Sequence, residues 1–203
     1  KKLPTDFYVM LLNELDEELT RRNLSTRIVF ICYVDTTWAP KTVFIKNPER
    51  FSLLIAAISR DYSTAVTKNL DTSKVYLPPF ELNNITLPKT VEEYIAHGKM
   101  WQDSCKVQSF VYEYHFWKHQ FYAPGVLSFA KRLFEDVISY RDNGFGGMIQ
   151  DGSQRSFFPN GFNFFVYGNT LFDNSVKFED LLEDYFSHAY GEDYKKVIEF
   201  FRA

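Results

Sequence analysis

The chain contains 203 residues, which is enough for one domain with a substantial core or for part of a larger domain. Its formal net charge is -3 and it has no basic run, so the sequence predicts no nucleic-acid-binding surface. With 45% hydrophobic residues, 24% charged residues and no apolar segment of membrane-spanning length, the chain is not expected to be disordered or to cross a membrane.

The hydrophobic pattern switches between helical and strand periods along the chain. A first helix, Pro4–Arg22, is expected to turn its apolar residues to the core: Phe7, Met10, Leu11, Leu15 and Leu19. The later predicted elements are strands at Arg27–Val34 and Phe51–Ile58, an irregular excursion at Ser63–Pro88, a helix from Thr90 to Gln102, a strand at the start of Ser109–Tyr122, a helix at Val126–Tyr140, a strand at Phe145–Gln150, and helices at Phe162–Phe172, Lys177–Tyr190 and Glu192–Phe201. Strands as apolar as the first two are typical of parallel sheets that are covered on both faces.

The order of these elements predicts an α/β fold. We expect a partial (half) TIM-type barrel of about four parallel strands with covering helices, because a complete barrel needs about 250 residues. A C-terminal helical pair follows. The whole chain, 1–203, is expected to be one domain, with the half-barrel in 1–160 and the trailing helices in 161–203. A half-barrel leaves bare sheet edges, which either a preceding N-terminal half-barrel or a homodimer would cover.

The stretch Ser109–Tyr122 carries the most informative residues. Its first half alternates, which places Glu113, His115 and Trp117 on one face of a strand. A carboxylate and an imidazole at the carboxyl end of a strand are typical of the active site of a barrel enzyme. The alternative is that these polar groups pair with each other or with backbone groups at a partly solvated edge.

Five blocks of sequence, spread in order over essentially the whole chain, resemble one known family. They are Arg27–Pro40, Ile58–Ser63, Tyr112–His115, Gln154–Gly161 and Leu181–Phe186. The family consists of bacterial glycoside-hydrolase-like barrels that carry a domain-of-unknown-function label and are placed near the α-glucuronidases and β-hexosaminidases. The resemblance implies a TIM-type barrel that acts on carbohydrate, with this chain as its carboxyl-terminal half. An Asp often stands in that family where this chain has Glu113, which keeps the carboxylate but moves it by one methylene.

Three carboxylates lie at or just past predicted strand ends, at Asp35, Glu113 and Asp151. Glycoside hydrolysis needs two carboxyl groups about 5 to 9.5 Å apart, and parallel strands would bring all three residues to one rim. Glu113, beside two tyrosines, is the predicted general acid or substrate-binding carboxylate. Asp35 is the predicted base or ligand of a sugar hydroxyl, and Asp151 is assigned only a turn-capping role. The alternatives are structural hydrogen bonds for all three, or a catalytic pair in the absent half.

Other residues near the predicted strand ends are candidates for binding substrate. They are Tyr33, Trp38, His115, Gln154, Arg155 and Phe158. Aromatic residues make up 18% of the chain, and aromatic faces above strand ends suit sugar rings, although a Phe-rich core is the simpler explanation for most of them. Arg155 presents a bidentate fork for a sugar carboxylate or hydroxyl groups, with a loop clamp as the alternative.

No metal or cofactor is expected. His115 and His119 are four residues apart, which would suit a metal on a helix, but their segment is predicted to be strand and then loop, without a third ligand nearby. Cys32 and Cys105 have no CxxC spacing, and nothing in their positions demands a disulfide. The compartment, cytoplasmic or secreted, is left open.

Two functions of different classes fit these residues. The first is a glycoside-hydrolase-like protein that acts on sugars derived from bacterial or plant polysaccharides. The second is a non-catalytic carbohydrate-binding or assembly module. An open pocket lined by Asp35, Glu113, His115 and Arg155 would favour the enzyme, whereas a Glu113 buried in a structural ion pair would favour the module.

Overall fold

A computed structural model describes residues 2–119, 126–152 and 161–202 of the chain. Within these ranges there are six α-helices and four β-strands. In chain order they are α1 (Pro4–Arg21), β1 (Ile28–Cys32), β2 (Phe51–Ala56), α2 (Val91–Cys105), β3 (Gln108–Glu113), α3 (Val126–Tyr140), β4 (Met148–Gln150), α4 (Gly161–Phe172), α5 (Phe178–Tyr190) and α6 (Tyr194–Arg202). A short 3₁₀ turn at Val34–Thr36 follows β1, and a π-helical turn at His115–His119 follows β3.

The four strands form one parallel sheet in the order β1-β2-β3-β4. Ile28 of β1 aligns with Phe51 of β2, and Ser52 of β2 aligns with Gln108 of β3. Strands that are neighbours in sequence are therefore neighbours in space, as in (β/α) barrels. This sheet confirms the predicted α/β class, a partial barrel of four parallel strands with covering helices and further C-terminal helices.

The contacts divide the chain into two compact units. The first comprises Lys1–Asp61, Leu70–Glu113 and Asn143–Ile149, and so holds nearly the whole sheet with α1 and α2. The second comprises Tyr62–Asn69, Tyr114–Asp142 and Gln150–Ala203, and so holds α3 to α6. Helix α3 therefore falls in the same unit as the trailing helices. The expectation of a single domain stays a prediction.

In the first unit, one face of the sheet is packed against helices. The ring of Phe30 in β1 has its centroid 6.2 Å from that of Tyr8 in α1 and 5.7 Å from that of Trp101 in α2. Successive side chains of a strand point to opposite faces, and on the other face Val29 is 58% exposed. The prediction that both faces of the strands are covered is therefore wrong for β1 among the described residues.

Helix α1 buries a polar stripe together with Val9 and Leu12, and it exposes most of the apolar residues that were predicted to face the core. Asp6, Asn13 and Asp16 are buried, whereas Phe7 is 58% and Leu11 52% exposed. The prediction that the apolar residues of this helix face the core is therefore wrong. The helix itself forms where it was predicted, with Pro4 at its first turn, because proline suits that position.

The loop that follows β1 explains why the polar stripe is buried. The Asp6 carboxylate accepts the backbone N–H groups of Lys41 at 3.0 Å and Thr42 at 2.8 Å, and Asn13 donates to the Phe44 carbonyl at 3.0 Å. Burial opposes the ionisation of Asp6, but backbone donors outweigh it and hold the pKa of Asp6 below its usual range. Asp6 thereby satisfies three consecutive backbone N–H groups of this loop, and a buried N–H that is left unsatisfied costs about 1 to 3 kcal/mol.

The second unit has an aromatic-rich helical core. Its buried cluster consists of Leu127, Ala130, Phe134, Phe162, Val166, Phe178, Leu181, Leu182, Phe186 and Ile198. The predicted inward face of α3 is confirmed, because Leu127, Leu133 and Val137 are all buried. None of the described helices combines the length and the apolar composition that crossing a lipid bilayer requires.

Candidate functional site

Glu113, the last residue of β3, forms a buried ion pair in the first unit. Its Oε1 accepts a hydrogen bond from Nη1 of Arg60 over 2.8 Å, and the side chain of Glu113 is 0% and that of Arg60 1% exposed. Ala56, the last residue of β2, aligns with Tyr112 of β3, so the two strands end side by side. The ion pair therefore lies at the carboxyl edge of the parallel sheet.

The turn after β2 directs Arg60 toward Glu113. The Ala57 N–H donates to the Tyr112 carbonyl over 3.2 Å and continues the ladder, and the Arg60 N–H then donates to the Ala57 carbonyl over 3.1 Å. A guanidinium–carboxylate hydrogen bond is charge-assisted and stronger than a neutral one. Removing one member of a buried ion pair typically costs about 3 to 5 kcal/mol.

A second polar group at this edge is built from Ser59 and Tyr94. The Tyr94 hydroxyl accepts the Ser59 N–H at 2.9 Å and lies 2.7 Å from the Ser59 hydroxyl, which also donates to the Pro88 carbonyl at 2.7 Å. Burial raises the pKa of Tyr94 to about 12, and the negative charge of Glu113 adds to the effect. These bonds attach α2 and the end of the long excursion to the turn that carries Arg60.

Asp35 lies beyond the carboxyl end of β1, in the same unit, and is exposed. Its turn is fixed by Thr36, whose Oγ1 accepts the Tyr33 N–H at 2.9 Å and donates to the Ile31 carbonyl at 3.0 Å. Val34 in this turn has φ +48°, a left-handed conformation that costs a β-branched residue about 1 to 3 kcal/mol. Backbone strain of this kind clusters at functional sites. Asp35 and the partly buried Tyr33 therefore remain candidate site residues.

Trp38 is buried, with 6% of its surface exposed. Its indole N–H donates to the Pro78 carbonyl at 2.7 Å, and its ring packs edge-on against Phe80 at 5.3 Å and His97 at 5.6 Å. Burial lowers the pKa of His97 to about 4, so this imidazole is neutral at pH 7. Trp38 thus anchors the long excursion, and the stacking of a sugar ring on it stays a prediction.

His115 lies in the second unit, at the centre of a hydrogen-bonded network. Its Nε2 is 2.8 Å from Oδ2 of Asp136 in α3, and its Nδ1 is 3.0 Å from Nε2 of Gln150 at the end of β4. The side chains of His115 and Asp136 are both 0% exposed. The expected partner of His115 is Glu113, a backbone group or a substrate, and the structure adds Asp136 and Gln150.

Arg60 and Asp136 were not among the predicted site residues, although the sequence contains a signal for each. Arg60 follows a predicted strand, and the carboxyl ends of parallel neighbours meet at one edge. Asp136 lies three residues after Leu133 and seven after Phe129, which is the spacing of the buried stripe of α3. A carboxylate on a buried helix face needs a partner, and in the structure His115 is one.

Several of the predicted residues cannot be compared with the structure. Gln154, Arg155 and Phe158 lie outside the described residues, as does the side chain of His119. Asp151, directly after β4, is partly buried. Among the residues that the structure describes, no group of three or more His, Cys, Asp or Glu side chains is arranged to hold a metal ion.

Comparisons with known proteins found no relative: no family model matches the chain, and neither a curated protein nor a solved structure matches it. The sheet and the side chains at its carboxyl edge therefore carry the proposed function.

Proposed function

We propose that this protein is a carbohydrate-active, glycoside-hydrolase-like domain whose site lies at the carboxyl edge of its parallel sheet. The observation that carries the proposal is the position of two carboxylates in one parallel sheet, with Glu113 at the carboxyl end of β3 and Asp35 just past that of β1. Active sites of (β/α) barrels lie there because the loops that follow the strands meet at that end. Cleavage of a glycosidic bond needs carboxyl groups, and we propose sugars from bacterial or plant polysaccharides as substrates.

Glu113 is the proposed acid or substrate-binding carboxylate, and Asp35 is the proposed base or ligand of a sugar hydroxyl. Glu113 is buried beside a guanidinium, whereas Asp35 is exposed in a strained turn. In this proposal Arg60 is a positioning residue, because its 2.8 Å hydrogen bond fixes the orientation of the Glu113 carboxylate.

A second candidate is a non-catalytic carbohydrate-binding or assembly module. The near-complete burial of both Glu113 and Arg60 favours it, because an ion pair with so little exposed surface also suits a structural role. The 58% exposure of Val29 on the outer strand β1 fits a sheet that further strands would cover. In that proposal the further strands come from a second copy of the chain or from an N-terminal half-barrel.

Measured rates of hydrolysis would distinguish the two candidates. Wild-type protein, Glu113→Gln and Asp35→Asn would be assayed against a panel of 4-nitrophenyl glycosides and glucuronides, with melting temperatures recorded in parallel. Glu14→Gln is the matched control, because Glu14 is an exposed carboxylate on α1. Loss of a general acid or base lowers turnover by about 100-fold or more, whereas the control should keep the wild-type rate.

Each result has a distinct meaning for the proposal. Turnover that falls in Asp35→Asn or Glu113→Gln while the protein stays folded supports the hydrolase. Turnover that is unchanged in both variants refutes the roles given to these two carboxylates. Binding of methyl glycosides without hydrolysis of any aryl glycoside favours the module, and absence of both binding and hydrolysis refutes both candidates.

A further inference from the structure

A cavity of about 830 Å³ lies in the first unit, between the start of α1, the loop after β1 and the long excursion. Its volume is in the range of about 300 to 1,000 Å³ that is usual for ligand sites. Its apolar wall consists of Leu3, Pro4, Phe7, Phe80 and Leu82. Neither Glu113 nor Asp35 lines it, so the site proposed above does not use this cavity.

Hydrogen bonds and ring packing hold the walls of the cavity. The buried Asp6 carboxylate in the first turn of α1 accepts the Lys41 N–H at 3.0 Å and so attaches the loop to the helix. The indole N–H of Trp38 donates to the Pro78 carbonyl at 2.7 Å, and the Trp38 ring packs edge-on against Phe80 with 5.3 Å between the centroids. A cavity whose walls are held in this way is formed before a ligand arrives, which reduces the entropy cost of binding.

Two lysines give the cavity a positive charge. Lys2 and Lys41 both line it, and none of the described carboxylates does. The Lys2 ammonium lies 5.5 Å from the centre of the Phe7 ring, which is part of the apolar wall. Within the part of the chain that the structure describes, neither ammonium group forms an ion pair, whereas Lys46 pairs with Glu17 at 2.7 Å. A negatively charged ligand would supply the missing partner.

The Asp6 carboxylate is bound to backbone groups instead of to these lysines. Its Oδ1 accepts three consecutive backbone N–H groups, those of Lys41, Thr42 and Val43. Its Oδ2 accepts the Leu3 N–H at 2.7 Å, and the side chain is buried. The charge of Asp6 is thus stabilised by backbone donors, and the two ammonium groups remain available for a ligand.

An exposed apolar stripe continues from the cavity along α1. Phe7, Leu11 and Leu15 are spaced four residues apart, so they lie on one face of the helix, and all three are exposed. With a rise of about 1.5 Å per residue, this α1 stripe is roughly 12 Å long. A line of this shape suits a linear alkyl chain, whereas a compact aromatic acid would leave most of it uncovered. The exposed Glu14 lies three residues after Leu11, so a negative head group is favoured at the lysine end.

We propose that the cavity and the α1 stripe bind an anionic amphiphile with a single unbranched alkyl chain. Its head group binds Lys2 and Lys41, and its chain lies over Phe7 and Leu11. Removal of the apolar stripe from water supplies most of the affinity, and the two ammonium groups select a negative head group. The head group is a carboxylate or a phosphate, which share this charge. This inference is independent of the proposed carbohydrate function, because none of its residues belongs to that site.

The first test is calorimetric titration with dodecanoate, dodecyl phosphate and dodecanol at pH 7, each below the concentration at which it aggregates. At least one of the two anions should bind the wild-type protein about tenfold or more tightly than the uncharged dodecanol. Replacing both lysines, in Lys2→Gln/Lys41→Gln, should remove this preference and leave the binding of dodecanol unchanged. Lys89→Gln is the matched control, because Lys89 is an exposed lysine of the same unit that does not line the cavity.

The second test addresses the alkyl chain. Phe7→Gln and Leu11→Gln should each weaken every ligand that the wild type binds by about tenfold, because each removes apolar surface that the chain covers. The melting temperature should not change, since both side chains are exposed. Phe172→Gln is the matched control, because Phe172 is an exposed phenylalanine of the second unit. Light scattering at the same protein concentrations records the oligomeric state.

The outcomes decide the inference and its head group. Binding of dodecanoate alone assigns a carboxylate, binding of dodecyl phosphate alone assigns a phosphate, and both results support the inference. Absence of binding of both anions, or equal binding of dodecanol, overturns it. Anion binding that the lysine double variant and Phe7→Gln leave unchanged also overturns it, because the ligand then lies elsewhere. A wild-type dimer that Phe7→Gln dissociates, without anion binding, overturns it as well and assigns the α1 stripe to a second copy of the chain.

Discussion

The buried ion pair between Glu113 and Arg60 makes the sharpest prediction about this fold. Replacing Arg60 by Met leaves a buried carboxylate without its guanidinium, and replacing Glu113 by Leu leaves a buried guanidinium without its carboxylate. Each single change should lower the free energy of unfolding by about 3 to 5 kcal/mol. The double variant should lose much less than the sum of the two, because it leaves neither charge unpaired.

The magnitude follows from the geometry of the pair. Two unit charges at the 2.8 Å separation of Nη1 and Oε1 attract by about 6 kcal/mol at an effective dielectric constant near 20. Removing both ions from water costs several kcal/mol each and offsets much of this attraction. The net stabilisation by the pair is therefore small, but the coupling between the two residues should reach several kcal/mol.

The assay is urea unfolding of the wild type, both single variants and the double variant, analysed as a double-mutant cycle. The exposed pair Lys196–Asp193, with side chains 82% and 70% exposed, is the control and should give a coupling below about 1 kcal/mol. A coupling for Arg60 and Glu113 as small as that of the control would refute the view that the buried pair organises the carboxyl edge of the sheet.

Three further predictions concern the first unit. Burial holds the pKa of His97 at about 4 against an unfolded value near 6.5, so the unfolded state binds the extra proton and stability falls as the pH drops from about 6.5 toward 4. His97→Leu should remove about 2 kcal/mol of the loss in unfolding free energy between pH 7 and pH 4.5, and an unchanged loss would contradict the assignment. Val34→Asn should raise the free energy of unfolding by about 1 kcal/mol in urea titrations, because asparagine tolerates the left-handed conformation at φ +48°; a destabilised variant would exclude strain at this residue. Asp6→Asn should destabilise by about 1 to 3 kcal/mol at pH 7, and because the folded pKa of Asp6 is lowered, this difference should disappear as the pH falls below about 4; a difference that persists at pH 2 would show that the carboxylate charge is not the cause.

The local pattern of apolar and polar residues alone predicts the strands and most of the helices. The apolar runs around Ile28–Cys32 and Phe51–Ala56 contain β-branched residues and have the length of buried strands. Both segments form strands in the structure. The predicted buried face of α3 is also confirmed, because a continuous apolar face at the helical period packs against the core on that side. These features depend on near neighbours in sequence.

The α1 helix shows where pattern reasoning fails. The apolar stripe through Phe7 and Leu11 is predicted to face the core, but both side chains are exposed to solvent. The buried face is set by hydrogen bonds with a loop more than thirty residues away: Asp6 accepts the N–H of Thr42, 36 residues on, and Asn13 donates to the Phe44 carbonyl. The periodicity of a short segment carries no information about hydrogen bonds to a loop that is distant in sequence.

The sequence by itself determined the α/β class, the parallel strands and the placement of Glu113 at a strand end. Only the tertiary structure decided the partners: Arg60 for Glu113 across 53 residues, and Asp136 for His115 across 21. The physical reason is that the periodicity of apolar residues indicates which side chains are buried. Ion pairs and hydrogen bonds depend instead on atoms that come together only when the chain is folded. The candidate chemistry of this protein depends on these contacts between residues that are distant in sequence.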